Sequence, residues 1–538
     1  MTPFNRPQHL IRLGNVLFLA LLLASCGDRF KEAGENATLA NSQLTAGNLE
    51  AARRSVQRAI VARDDVGDYF ILLARIELQA GEPVRAFNAY SRALDLKADN
   101  LEVLQGIAQL GLQTGRDLEA REAADRILLL FPQSTNALLV KGFLAIDDGR
   151  FEEAEEFAAA IRAIDPDDQG GAILLARVQA INGNFSGATE TMNAAKMVHG
   201  DSDALSATLL EIFRAEGNEE GLAKAFPEVI ARTGNNADYR IDYVNFLYKT
   251  ENMSTARAQV RTIFEDFPED SRTLSSVKDV LHEYDRTPFT DEELAQIASD
   301  ASIQTQLTLA RFYLEIGDYD RSGLLLRQGL EIGMVEAQGI AARLYVADGR
   351  TDAAVEMIAK AIESDPENTD ALLAKADHSL SLGRADDALA YANKVVSEAP
   401  QEYEGYTLLA AAQLAKGREL RATQILEQGI DFLPQNVLLA IRYEDFLRRT
   451  GNEERILSLY RDLASAKPSS VSAWREFSRA CKEFENRTCE RQLEAGLQFA
   501  ERSFVIDDPP GSPGKRGLFS RITPEQICRA AGGVCTSS

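Results

Sequence analysis

Turn-forming, small and apolar residues recur along this chain on a 34-residue beat. Glycine stands at Gly47, Gly81, Gly115, Gly149, Gly183 and Gly217, each 34 residues after the last. The beat passes through Glu251 and Asp285, shortens to 32 at Gly317 and again at Gly349, then returns to 34 for Gly383, Gly417, Gly451 and Glu485. Eleven of these fourteen marks are glycine, where a base rate of roughly 7% would place about one, so the period reflects the fold. Five residues after a mark alanine recurs, as Ala52, Ala86, Ala120, Ala154, Ala188, Ala256, Ala354, Ala388 and Ala422. Seven residues before it a small residue recurs, from Ala74, Ala108, Gly142 and Ala176 to Ala310, Ala342, Ala376 and Ala410. Seventeen residues after it comes proline, at Pro132, Pro166, Pro268, Pro366, Pro400, Pro434 and Pro468.

Each signal has a physical reason. The pattern predicts two antiparallel helices per unit, A before the mark and B after it. Glycine accepts the positive φ of the tight turn between them. The small residue of A and the alanine of B mark where the two axes cross, because only small side chains allow close approach. Proline ends B, since it lacks an amide donor and restricts the residue before it. Larger residues such as Tyr90, Phe143 and Leu426 are expected to fill the space between successive pairs. No pair can bury both faces alone, so stability must come from stacking.

Period, turn glycine, paired small residues and closing proline resemble the tetratricopeptide repeat, as in Gly149-Arg150-Phe151-Glu152-Glu153-Ala154 and Gly383-Arg384-Ala385-Asp386-Asp387-Ala388. The resemblance covers about residues 33–502. It implies an all-α, right-handed superhelical solenoid of about 13–14 helix pairs, with helices A lining a concave groove. It is nearly silent on function, because such arrays bind many unrelated partners. Residues 286–292 (Arg-Thr-Pro-Phe-Thr-Asp-Glu) interrupt the pattern, and Thr290 with Glu293 reads as a capping box opening a late helix B. This segment is either a seam between two halves or a degenerate repeat.

The N-terminus is an address. Arg6 and Arg12 precede an unbroken apolar run, Val16 to Ala24, in the order of a secretory signal. Its nine residues fall short of the about 20 that a membrane-spanning helix needs. Leu23-Ala24-Ser25-Cys26 resembles the bacterial lipobox, which implies cleavage before Cys26 and its acylation; two or three acyl chains anchor a protein stably. Gly27, with Asp28 only one place later, favours sorting to the inner leaflet of the outer membrane, facing the periplasm. The expected organisation is a signal peptide over 1–25 and a lipidated tether over 26–32. Repeat arrays over 33–285 and 286–502, a flexible linker over 503–522 and a small disulfide-held tail over 523–538 follow.

Charge and cysteines refine this picture. Fifty-eight basic against 82 acidic residues give a net charge of −24, and loss of the signal with Arg6 and Arg12 takes it to −26. Such an excess repels phosphate backbones, so no nucleic-acid partner is expected. Apart from Cys26, the cysteines are Cys481, Cys489, Cys528 and Cys535, which suits two disulfides in an exported protein. Cys481 late in the last helix A and Cys489 early in its helix B face each other across the hairpin. Cys528 lies on a short helix opened by Thr523-Pro524 and turned back by Gly532-Gly533 towards Cys535, so the pairing is Cys481–Cys489 and Cys528–Cys535.

The residue six before each mark points into the groove. Arg75, Gln109, Arg177, Arg311 and Arg343 are the candidates there. Four arginines at one structural position could form a track gripping carboxylates of a peptide or an anionic polysaccharide by bidentate hydrogen bonds. Equally, each could pair with an acidic neighbour on the adjacent repeat. A glycan-binding groove requires Arg311 and Arg343 to be free of such partners. No catalytic, metal or cofactor site is expected. His199, His282 and His378 lie in different repeats, and His282-Glu283 lacks a second histidine at metalloprotease spacing. Pro509 to Arg516 is phosphate-loop-like only superficially, with arginine where a hydroxyl should bind magnesium. The lipobox followed by a long array resembles lipoproteins of exopolysaccharide secretion and exosortase-linked systems, and also the shorter pilus-assembly lipoproteins. The implied partners are envelope proteins or peptides held without catalysis.

Overall fold

A computed structural model of the chain describes residues 29–234, 236–452, 454–485, 487–504 and 507. Cys26, Cys528 and Cys535, with the signal, linker and tail assigned around them, lie outside the described residues. The described residues contain 28 helices and no strand, arranged as fourteen A/B pairs. They form two compact units, 29–212 and 213–507.

In the first unit α1 (29–45) pairs with α2 (Leu49–Ala62), α3 (Gly67–Gln79) with α4 (Pro83–Leu96), and α5 (Leu101–Thr114) with α6 (Asp117–Leu130). Next come α7 (Thr135–Asp147) with α8 (Phe151–Ile164) and α9 (Gln169–Ile181) with α10 (Phe185–His199). The unit boundary falls within α11 (Asp203–Glu216). The second unit continues with α12 (Glu219–Arg232), α13 (Ala237–Lys249), α14 (Met253–Asp266), α15 (Ser271–Tyr284) and α16 (Asp291–Asp300). It runs on through α17 (Ile303–Glu315), α18 (Tyr319–Glu331), α19 (Val335–Ala347), α20 (Thr351–Ser364), α21 (Thr369–Ser381) and α22 (Ala385–Glu398). It ends with α23 (Tyr403–Ala415), α24 (Glu419–Phe432), α25 (Val437–Arg449), α26 (Glu454–Ala466), α27 (Val471–Glu483) and α28 (Arg487–Arg502).

The sequence signals sit where their physics requires. All eleven glycine marks have positive φ. The residue after the glycine bonds back into helix A, as Arg150 N–H donates to the Ala145 carbonyl at 2.8 Å, which satisfies a carbonyl at the helix end. The crossing alanines are fully buried, Ala52, Ala154 and Ala388 among them, and so are their partners Ala74, Ala176 and Ala376. A Cβ added at Gly111 on α5 would lie 2.9 Å from the Cβ of Ala120 on its paired helix α6, and one at Gly142 on α7 would lie 2.2 Å from Leu174 on α9 of the next repeat. Before each closing proline the chain turns extended, as at Phe131 (φ −135°) and Asp365 (φ −141°). Helices A begin on side-chain caps such as Asn100, Ser134, Asp168 and Asn368, each accepting an amide from the first turn.

The departures are local and explicable. Glu251 and Glu485 adopt the turn's positive φ, 58° and 48°, without being glycine. Asp285 does not: its φ is −146° and its buried carboxylate accepts from Arg257 (2.7 and 3.0 Å), Tyr248 (3.1 Å) and the Thr287 amide. With the tight turn replaced by an extended run, helix B starts late at Asp291, on a capping box in which Thr290 and Glu293 exchange both bonds. That helix spans only ten residues but ends in register with the other B helices, and the first 32-residue step arises after it, where two residues (301–302) lead to α17 in place of the four (165–168) between α8 and α9. The second arises because α18 closes on Gly333 (φ 74°) rather than on a proline turn.

A residue with a Cβ costs about 1–2 kcal/mol in the left-handed region. Glu251→Gly should therefore stabilise the second unit by about 1 kcal/mol, and Gly149→Ala should destabilise the first by a similar amount. Urea unfolding midpoints measure both; a lower midpoint for Glu251→Gly would contradict the strain argument.

Candidate functional site

In the first unit the A-helix groove row is only partly spent. Arg75 on α3 makes a bidentate pair with Glu102 on α5, at 2.7 and 2.6 Å, and stays half exposed. Gln109 is exposed. Arg177 is buried, with its guanidinium 5.7 Å from the Phe143 ring centroid, one repeat back in the same row. Burial pulls its pKa down to about 10, while Glu211 and Asp147 act in the opposite direction.

In the second unit the row closes on itself. Arg311 on α17 and Arg343 on α19 both bind Asp370 on α21, at 2.6 and 2.8 Å, and Arg343 also binds Glu404 on α23. Asp370 is 6% exposed. Burial pushes its carboxyl up, but Arg311 and Arg343 overcome that and hold it at about 2. One turn after Arg311 on α17, Glu315 accepts from Lys278 at 2.9 Å and from His282 at 2.5 Å; against burial, these partners hold it too at about 2. Around this network Asp279, Asp377 and Glu402 have pKa values raised by burial. The pairing expected between adjacent repeats is thus present at Arg75 and Arg343, while Arg311 reaches across two repeats. The freedom that a glycan-binding groove requires of Arg311 and Arg343 is absent.

The sequence did not signal a second feature, the closure of this unit on its own C-terminus. Lys249, the last residue of α13, donates to the carbonyls of Ser469 (2.7 Å), Ser503 (2.8 Å) and Ala500 (3.3 Å). Burial pulls its amine down to about 8. Glu283 on α15 accepts from Ser470 (2.8 Å) and Ser472 (3.2 Å), and Phe246 meets Phe504 edge-on at 5.2 Å. Gly217 lies against the Arg502 carbonyl, which a Cβ would approach to 3.0 Å. Asp507, pushed up to about 6 by burial, accepts from the Ser469 amide and hydroxyl. Helices α13 and α15 therefore grip the start of α27 and the end of α28, while the Cys481–Cys489 disulfide joins the same two helices at their opposite ends. No sequence period could reveal bonds that span 187 to 254 residues.

Lys278, Arg311 and Arg343 are each bound by carboxylates, whereas Asp279, Asp377 and Glu402 lie beside the network outside any ion pair. Among the described residues no cluster of histidine, cysteine and carboxylate side chains could hold a metal. A shallow depression near Arg286, Asp318 and Asp348 is open to solvent. No described helix is long and apolar enough to cross a membrane.

Removing one partner of a buried ionic triad leaves charge uncompensated. Asp370→Asn should destabilise the second unit by about 3–5 kcal/mol, read from urea unfolding. Because Asp370 titrates near 2 when folded and at 3.8 in its ordinary state, its contribution is complete above 3.8 and lost as pH falls towards 2. The wild type should lose stability through that window more steeply than Asp370→Asn; equal slopes would contradict the role of the Arg311–Asp370–Arg343 triad.

A family model described as tetratricopeptide repeat matches residues 38–100, 107–169 and 341–403, and a second of the same description matches 145–211. No curated protein matches the chain in sequence. Among solved structures, a tetratricopeptide repeat protein from Parabacteroides merdae is 16% identical over 47% of this chain and 99% of its own, with a TM-score of 0.39. PilF of Pseudomonas aeruginosa is 16% identical over 39% and 96%, with a TM-score of 0.30. PilW, a type IV pilus biogenesis factor, is 19% identical over 38% and 94%, with a TM-score of 0.32. These likenesses extend to the helix-pair architecture and carry no functional argument. With the glycine turns, alanine crossings and closing prolines in place, the chain contains tetratricopeptide repeats over 38–100, 107–211 and 341–403.

Proposed function

We propose that this protein is a non-catalytic scaffold, tethered by lipid at Cys26 and facing the periplasm, which holds proteins of an envelope-assembly or exopolysaccharide-secretion machine. The observation that carries the reading is the array itself: fourteen helix pairs present long solvent-facing surfaces, and the groove arginines of the second unit, Arg311 and Arg343, are bound by its own carboxylates. Catalysis needs a dry pocket with converging, unmatched groups, and this geometry offers surfaces instead. The first unit, with Arg75 half exposed and Gln109 in solvent, keeps the more open groove. The lipobox supports the tether, and the period-and-lipobox resemblance supports the envelope setting, with pilus assembly as the alternative machine.

Direct binding of an anionic glycan or peptide is the competing reading. It loses support from Arg311 and Arg343, both tied to Asp370, and would have to rest on Arg75 and Arg177.

Crosslinking in the native cell envelope, followed by mass spectrometry, tests the proposal. The expected result is capture of polymer-export or pilus proteins, lost when Cys26→Ser removes the acylation site. Capture of glycan alone, unchanged by that substitution, would sink both the scaffold and its tether.

A further inference from the structure

The first unit exposes an apolar row that packing does not explain. Fifteen residues after four consecutive marks, at the last turn of helix B, stand Leu96, Leu130, Ile164 and Val198, between 38% and 57% exposed. Beside them Val61, Leu129 and Met197 are 88%, 83% and 83% exposed, one position earlier in their repeats. Stacked repeats carry equivalent positions in line, so these side chains form a continuous edge along α2, α4, α6, α8 and α10. An apolar strip of this kind on a soluble surface marks an interaction site. The second unit does not repeat it: the equivalent residues include Arg232, Asp266, Ser364 and Glu398, with Ile332 and Phe432 the apolar exceptions.

The rim of the strip indicates what covers it. All five B helices direct their C-termini to this edge, the negative ends of their dipoles. The turns that follow them carry seven aspartates against one arginine and one lysine. Asp65, Asp99 and Asp201 are paired with Arg63, Arg126 and Lys196, and Lys97 with Asp68, which leaves Asp64, Asp165, Asp167 and Asp168 outside any ion pair. An anionic membrane would be repelled by such a rim, and a second copy of this acidic edge would oppose itself. An amphipathic helix suits both features, with its apolar face on the strip and lysines or arginines over the aspartates.

We propose that the B-helix edge of the first unit, centred on Leu129, Ile164 and Met197, docks a basic amphipathic helix of a partner protein. This deepens the scaffold reading and rests on it, but places the contact outside the groove. The test uses the full chain and a synthetic amphipathic leucine–lysine helix, with a leucine–glutamate helix of the same pattern as comparator, followed by fluorescence anisotropy. Leu129→Ser, Ile164→Ser and Met197→Ser are combined in one variant, whose unchanged melting temperature certifies the fold. The leucine–lysine helix should bind the wild type, lose about tenfold or more in affinity for the variant, and outbind the glutamate helix. Equal binding to both proteins, or no binding to either, overturns the proposal. So does a strip whose substitution abolishes only self-association or only binding to phosphatidylcholine vesicles. Envelope crosslinking of the same variant separates the two readings: partner capture at wild-type yield sinks the edge and spares the scaffold, whereas no captured protein from wild type or variant sinks the scaffold itself.

Discussion

Close approach of the two helices within each repeat is the constraint on which the remaining structure depends. It is set by a small residue on A facing an alanine on B, and it is held by a turn so tight that the chain must adopt positive φ. At Gly111 a single methyl would meet the Cβ of Ala120 on the paired helix at 2.9 Å. Once the axes are this near, the outer faces of every pair are bound to bury large residues against the next pair, as Tyr90, Phe143 and Leu426 do. Stacking then follows from packing, and the repeats become an array in which each unit's stability is borrowed from its neighbours.

Stacking in turn brings together side chains that lie far apart in sequence. In the second unit, winding carries Arg311 to an aspartate 59 residues away and Arg343 to a glutamate 61 residues away. The same winding brings α13 and α15 against the last repeat, where the Lys249 amine donates to three backbone carbonyls. Buried charge of this kind is costly unless matched, so the groove of this unit is tied up by its own chemistry. The first unit keeps an exposed apolar edge instead, and the two units therefore offer a partner different surfaces.

Much of this was legible in the sequence. The beat placed all fourteen A/B connections, and Thr290 with Glu293 located the late helix after the interruption. These features are local: a turn, a cap or a helix stop is decided by residues within a few places of one another, so their chemistry shows in the string. Asp285 marks the limit of that rule. It keeps the beat but not the turn, because its carboxylate is drawn into a buried site formed by Tyr248 and Arg257 of the preceding repeat.

The sequence by itself determined the helix pairs, their number and their crossings. Only the tertiary structure decided which groove arginines are spent and which repeat seals the second unit. The physical reason is one of range. Backbone conformation and helix crossing depend on neighbours along the chain, whereas the partner of a groove charge depends on how far the array rotates per repeat. That rotation accumulates from the packing of every repeat at once and is written in no single motif.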